Sequence, residues 1–244
     1  MNSGLKAREC MRFWAEFRTR PNPSFENTRP LRAGFPDGGG MKILDAQAKL
    51  LALKQEVIQT SDAAACLGVT IPHASQILRR LSKAGLFIPL ARGKWVCHTT
   101  IDPLLLPEYL TAPAPSYVSF QSALYYHGMI SQIPDTVYAA SLARTRQYKT
   151  PIATISIHHL QPNFFFGFEV VAKSRIKMAT PEKALLDVLY LSSARSYLFS
   201  VLPELEIPQG FKSKEALNMI EKITSSRMRT FVREKLQQHL RLKN

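Results

Sequence analysis

The chain has 244 residues, and its 32 Lys and Arg outnumber 18 Asp and Glu, which gives a formal net charge of +14. With 45% hydrophobic residues, this composition excludes a wholly disordered chain, a collagen-like repeat and a disulfide-stapled miniprotein. No apolar run approaches the roughly 18 residues that a membrane-spanning helix needs, so no membrane partner is predicted. The excess of positive charge indicates a polyanionic partner.

The amino-terminal segment and the cysteines bear on the compartment. Residues 1–40 are rich in Arg and Pro, lack a continuous apolar run and end in three glycines directly before Met41. They do not have the pattern of a secretory signal, and we expect a disordered leader that is either a flexible arm or a mis-assigned extension. Cys10, Cys66 and Cys97 have no metal-ligand spacing. Together these features predict a cytoplasmic protein with free thiols.

Residues 41–97 predict a winged helix-turn-helix. Apolar spacing predicts a first helix over 44–53, and a second helix, capped by Thr60 and Ser61, ends at Gly68. A third helix begins at Thr70 with Pro72 in its first turn and ends near residue 84. Two helices joined by a short turn that contains glycine are typical of a DNA-binding helix-turn-helix. Residues 86–96 then predict a β-hairpin wing with two cations at its tip.

The third helix is predicted to be the DNA-reading element. Its apolar residues share one face, and every charged side chain between Asp62 and Asp102 is basic. Gln76 can pair with adenine and Arg79 or Arg80 with guanine, whereas Ser75 and Lys83 suit phosphates. The alternative is an ordinary solvated helix face. The predicted DNA-contacting residues of this domain are His73, Ser75, Gln76, Arg79, Arg80, Lys83, Arg92 and Lys94.

Residues 98–115 contain several prolines and are predicted to be a linker. Beyond them, Ser119 begins a helix that closes at Gly128, and residues 137–143, 153–158 and 164–171 read as strands. Thr180 and Pro181 begin another helix, and a basic helical tail is predicted over 214–242. The predicted fold class is therefore α+β, a winged helix-turn-helix followed by a mixed α/β domain over 116–244.

The basic tail is a candidate for a second DNA surface. Its apolar positions keep helical spacing, and its other face is basic. The cations of this stretch are Arg227, Arg229, Arg233, Lys235, Arg241 and Lys243. Of these, Arg227, Arg229 and Arg233 are predicted to contact DNA. Neutralising further phosphates would add affinity to a protein that already carries a winged helix. A purely solvated face is the alternative reading.

Two motifs of the second domain resemble the AbiEi-type antitoxin family. They are the stretch 119–128 (SFQSALYYHG), followed by Ile133-Pro134 and Tyr138, and the block 179–187 (ATPEKALLD). The resemblance covers roughly residues 41–205. It implies a bacterial, cytoplasmic antitoxin of a type IV toxin–antitoxin pair tied to phage defence. Such an antitoxin represses its own operon by binding inverted repeats in the promoter, and it counters a nucleotidyltransferase-like toxin without forming a stable complex.

The sequence predicts no catalytic residue, metal site or cofactor. His158 and His159 are neighbours on a predicted strand, so their side chains point to opposite faces and cannot chelate one metal together. Glu182 fits a role at a helix N-terminus, and His127 fits a core or carbonyl-bonded position. Two alternatives remain. One is an enzyme that modifies a toxin or its nucleic-acid substrate through Glu182, Lys183, Asp187 or His127; the other is an RNA-binding module that uses the basic tail.

Overall fold

The structure is a computed structural model that describes residues 43–97, 101–172, 174–192 and 204–241, so the predicted leader lies outside the described residues. The fold is a mixed α+β fold. Its contacts divide the described chain into two compact units. The first unit comprises the described residues up to Pro103 together with Lys149–Ala153, and the second unit comprises the remainder.

The first unit combines helices with a small three-stranded sheet. Strand β3 lies between β1 and β2 and pairs antiparallel with both. The core between the helices and this sheet is apolar and includes Leu50, Ile58, Leu78 and Trp95. The elements in chain order are α1 (Ile43–Leu51), β1 (Val57–Gln59), α2 (Thr60–Leu67), α3 (Ile71–Lys83), β2 (Ile88–Ala91) and β3 (Lys94–Val96).

The turn between α2 and α3 has the predicted backbone chemistry. Gly68 adopts a left-handed conformation with φ of 66°, and Val69 N donates to Ala64 O at 3.0 Å, as at other glycine-terminated helices. Thr70 is the N-cap of α3, and Pro72 lies in its first turn. The prediction that Thr60 caps α2 is wrong because the N-cap is Gln59. The Thr60 hydroxyl bonds the hairpin instead.

The second unit is built on a mixed sheet of order β6-β7-β5-β4-β9-β8. Within it β5 runs parallel to β7 and β4 parallel to β9, whereas β4–β5 and β8–β9 are antiparallel. The strands are β4 (Ser116–Val118), β5 (Thr136–Ser141), β6 (Arg146–Lys149), β7 (Thr154–His159), β8 (Phe168–Val170) and β9 (Lys177–Ala179). The helices are α4 (Leu106–Thr111), α5 (Phe120–Tyr126), α6 (Pro181–Ser192), α7 (Ser213–Ile220) and α8 (Ser226–Arg241).

The structure corrects two predictions in this part of the chain. The segment predicted as a linker contains a 3-10 turn, Pro103–Leu105, and then α4, whose Leu106 and Leu110 are buried. Pro107 is tolerated there because it lies in the first turn of α4, where its missing N–H costs no helical hydrogen bond. The unit boundary after Pro103 nevertheless falls within the predicted linker.

The second correction concerns the strand predicted over 164–171. Its first part is a 3-10 turn, Pro162–Phe164, and only Phe168–Val170 forms a strand. Between them Gly167 turns the chain with φ of 74°, and a Cβ on it would lie 3.1 Å from the Lys183 side chain. The positive φ and the close approach of the Lys183 side chain together favour glycine at this position.

The carboxyl-terminal region is helical as predicted and consists of two helices, α7 and α8, with a turn between them. Both pack against α6. Among the described residues, no helix is both long and apolar enough to cross a membrane.

Candidate nucleic-acid interface

Helix α3 separates its side chains cleanly between core and solvent. Ala74, Ile77, Leu78 and Leu81 are buried at helical spacing. The remaining positions carry the polar residues that the sequence predicted for DNA contact. Of these, Ser75 is half-buried, and the exposed ones are His73, Gln76, Arg79, Arg80 and Lys83. The whole predicted set on this helix therefore borders one solvent-facing surface.

Within the part of the chain that the structure describes, the cations of this surface have no acidic ion-pair partner. The first turn of α3 holds no acidic residue, and Arg80 and Lys83 lie in its last turn, where cations interact favourably with the helix dipole. Among the described residues, no carboxylate forms an ion pair with Arg79, Arg80 or Lys83. Their charge is available to an external anion.

The β2–β3 hairpin is fastened to the start of α2 through Thr60. The Trp95 indole Nε1 donates to Thr60 Oγ1 at 3.0 Å, and that hydroxyl donates to Gly93 O at 3.3 Å. Thr60 N also donates to Gly93 O at 2.9 Å. These bonds fix the hairpin tip, where Arg92 is exposed. Lys94 is only half-exposed, and burial lowers the pKa of its amine.

The predicted tail cations are largely engaged within the second unit. Arg227 is exposed, but Arg233 forms an ion pair with Glu221. Arg229 Nη1 lies 3.6 Å from the same carboxylate, and Arg229 Nε donates to Ile223 O at 3.1 Å. Glu221 thus offsets part of the charge that the sequence assigned to a second DNA surface.

A second cluster of chemistry-bearing residues lies inside the second unit. Lys183 and Asp187 are one turn apart on α6, form an ion pair and are both fully buried. Tyr117 Oη and Ser119 Oγ donate to Asp187 Oδ2 at 3.0 and 2.7 Å. The Lys183 ammonium lies 3.6 Å from the centroid of the Phe164 ring, a cation–π contact. The cluster therefore links three elements, namely strand β4, the N-terminus of α5, and helix α6.

The electrostatics of this cluster are those of a structural ion pair. Burial lowers the pKa of Lys183 and raises the pKa of Asp187, and the attraction between the two charges opposes both shifts. Both side chains have hydrogen-bond partners, and neither has solvent-accessible surface through which a substrate could reach it. Sequence reasoning missed the pair, although the i,i+4 spacing of Lys183 and Asp187 is a readable signal.

Glu182 does not act with Asp187. Its carboxylate Oε1 accepts a hydrogen bond of 2.8 Å from Lys212 N, directly before α7, and the side chain is buried. The two carboxylates considered for catalysis therefore have separate partners. The hydrogen bond of Glu182 joins the start of α6 to the residue that precedes α7. The sequence predicted only a role for Glu182 at the N-terminus of its own helix.

The histidines lie as the sequence predicted. His127 Nε2 is 2.7 Å from Ala179 O. His158 is buried and its ring Nε2 lies 3.0 Å from Ser156 Oγ, whereas His159 is exposed. Burial lowers the pKa of His158 to about 4. In the part of the chain that the structure describes, no group of three or more His, Cys, Asp or Glu side chains could hold a metal ion.

Comparison with protein-family models finds no match for this chain, and comparison with curated proteins finds none either. The resemblance to the AbiEi-type antitoxins therefore rests on the motif residues themselves. Two of those motif residues, Ser119 and Asp187, are hydrogen-bonded to each other in the buried cluster.

Proposed function

We propose that the first unit is a winged helix-turn-helix that binds double-stranded DNA. The observation that carries this proposal is the solvent face of α3, which presents Gln76, Arg79, Arg80 and Lys83 to solvent with no acidic residue nearby in the sequence. In such proteins the second helix of the motif lies in the major groove, and its side chains contact base edges. The β2–β3 hairpin, which hydrogen bonds to Thr60 hold in place, is the proposed wing that contacts the DNA backbone.

The polar residues divide into two roles. Gln76, Arg79 and Arg80 have planar side chains with the bidentate hydrogen-bonding geometry that reads adenine and guanine edges. His73, Ser75, Lys83, Arg92 and Lys94 suit phosphate contacts, which position the protein without reading sequence. Arg92 is the better placed of the two wing cations because Lys94 is half-buried.

We further propose that the protein is the antitoxin of a type IV toxin–antitoxin system in the bacterial cytoplasm and that it represses its own promoter. The motifs at 119–128 and 179–187 support this proposal, together with the order of a DNA-binding unit before a mixed α/β unit. It counters a nucleotidyltransferase-like toxin without a stable complex and without catalysis of its own.

The DNA-binding proposal is tested with two duplexes of equal length, one from the region upstream of the chain's own gene and one of random sequence. The wild-type protein should prefer the upstream duplex. Arg79→Ala and Arg80→Ala should each reduce that preference by about 1–3 kcal/mol, or roughly 5- to 150-fold. Lys214→Ala, which removes an exposed cation from α7, is the matched control. Equal affinity of the wild type for both duplexes would refute a sequence-specific repressor.

The antitoxin proposal is tested by co-expression with the reading frame next to the gene. The chain should relieve growth arrest caused by a nucleotidyltransferase-type product of that frame. Variants of Glu182, Asp187 and His127 that still fold and bind DNA should neutralise as the wild type does. If such a variant folds and binds DNA but no longer neutralises, the alternative of an enzyme that acts on the toxin or its substrate gains support.

A further inference from the structure

The segment before strand β6 and the start of that strand form a basic surface on the second unit. Arg144 and Arg146 are both exposed there, two residues apart in sequence. Strand β6 stands at one end of the sheet order, beside β7. Segment 113–211 as a whole is nearly balanced in charge, so these residues do not stand out in the sequence. The tertiary structure separates its charges.

The surface is held in place by hydrogen bonds rather than being a free loop. His159 N donates to Thr145 Oγ1 at 3.0 Å, and His159 Nδ1 lies 3.2 Å from Ala143 O. These contacts fix the residues on both sides of Arg144. On the strand itself, the Arg146 guanidinium carbon lies 4.8 Å from the centroid of the Tyr148 ring. Binding through these arginines would therefore require less ordering than binding through a flexible loop.

The acidic residues of the second unit nearest in sequence lie elsewhere. Glu108 forms an ion pair with Lys177, Asp187 is buried with Lys183, and Glu169 is on β8 at the opposite edge of the sheet. Asp135 precedes β5, whereas Arg144 follows its other end. A six-residue strand separates these ends by about 17 Å, roughly twice the screening length at physiological salt. The β6 edge therefore keeps a local positive potential.

We propose that the β6 edge, through Arg144 and Arg146, binds phosphates of double-stranded DNA. The inference extends the proposed function to the second unit, and it assigns this edge a phosphate contact without base recognition. Cations on an exposed edge also hinder strand pairing between molecules. Protection of the sheet edge against strand pairing involves no nucleic acid. The two roles are therefore distinguished by the salt dependence of DNA binding, to which only a phosphate contact contributes.

The test is the salt dependence of binding to a random-sequence duplex of 40 base pairs, measured by fluorescence anisotropy with the full chain. Each phosphate contact contributes about 0.9 to the slope of log affinity against log salt. The double variant R144A/R146A should therefore reduce the slope by about 2, and R144K/R146K should restore most of it. K212A/K214A removes two exposed cations near the start of α7 and should leave the slope unchanged.

Two outcomes would overturn the proposal. One is a wild-type slope for R144A/R146A. The other is an equal reduction for K212A/K214A, which would indicate a general effect of net charge. Because all four substituted side chains are exposed, size-exclusion chromatography should show folded monodisperse variants, and R144Q/R146Q provides a second pair should the alanine variant self-associate. The random duplex keeps this test separate from the proposed function, which fails instead if the wild type shows no preference for the upstream duplex.

Discussion

The two units of this protein differ in where their charged side chains lie. Among residues 43–97 every buried side chain is apolar, and the cations of α3 face solvent. In the second unit, Glu182, Lys183, Asp187 and His158 are all buried. Exposed charge retains its hydration until a partner displaces it, whereas buried charge has lost hydration already and needs an internal partner. The first pattern suits recognition of a polyanion, and the second suits a packing arrangement that depends on particular polar contacts.

The largest expected effect on stability comes from breaking the buried Lys183–Asp187 ion pair. Lys183→Met leaves the Asp187 carboxylate buried without its cation and should reduce the free energy of unfolding by about 3–5 kcal/mol. The double variant K183M/D187N removes both charges, keeps an amide oxygen that can accept from Tyr117 Oη and Ser119 Oγ, and should recover much of that loss. Urea unfolding followed by circular dichroism measures both. A loss below about 1 kcal/mol for Lys183→Met would contradict the view that this pair organises the second unit.

The next effect concerns His158 and pH. Its pKa is about 4 in the folded protein against 6.5 for an unperturbed histidine. Between these pH values the unfolded chain binds more protons than the folded chain, so stability falls as pH is lowered from 7 to 4. The loss from this group is about 3 kcal/mol. His158→Gln should flatten the pH dependence of urea unfolding by that amount, and the exposed His159→Gln is the control. Identical pH profiles for the wild type and His158→Gln would refute the attribution of this pH dependence to the buried His158 side chain.

A smaller effect tests the polar link in the first unit. Thr60→Val removes the acceptor for Trp95 Nε1 and one of the two donors to Gly93 O. Leaving the indole N–H unpaired should cost about 1–2 kcal/mol, and Thr60→Ser, which keeps the hydroxyl, should cost less. Trp14 and Trp95 are the two tryptophans. Fluorescence in a Trp14→Phe background therefore reports on Trp95, and equal stability of the Val and Ser variants would show that this bond is unimportant.

The smallest effect compares the two cations of the β2–β3 hairpin. Arg92→Ala should reduce the salt slope of DNA binding by about one phosphate contact, or roughly 0.9. Lys94→Ala should reduce it less because the Lys94 side chain is half-buried. The measurement is the anisotropy titration on the random-sequence duplex. A larger effect from Lys94 would reverse the order that exposure assigns to these residues.

Sequence reasoning predicted the first unit more completely than the second. The apolar spacing of α3, the left-handed Gly68 and the hairpin that follows depend on residues close together in the chain. The second unit was predicted less well where long-range packing overrides local preference. Segment 164–171 has strand-forming composition, but its first part is a 3-10 turn in which Phe164 stacks on Tyr190 at 4.7 Å. Residues 103–111 contain two prolines and are nevertheless helical.

By itself, the sequence determined helices α1 to α3, the tight glycine turn and the polar face of α3, because each depends on contacts within a few turns of chain. Only the tertiary structure decided which charges are buried and which reach solvent. Asp187 meets Ser119 and Tyr117 across about 70 residues of sequence, and the β6 cations become a surface only because the neighbouring acids are paired, buried or distant. Charge counts along the chain cannot show this, since the cost and the use of a charge depend on its surroundings in three dimensions.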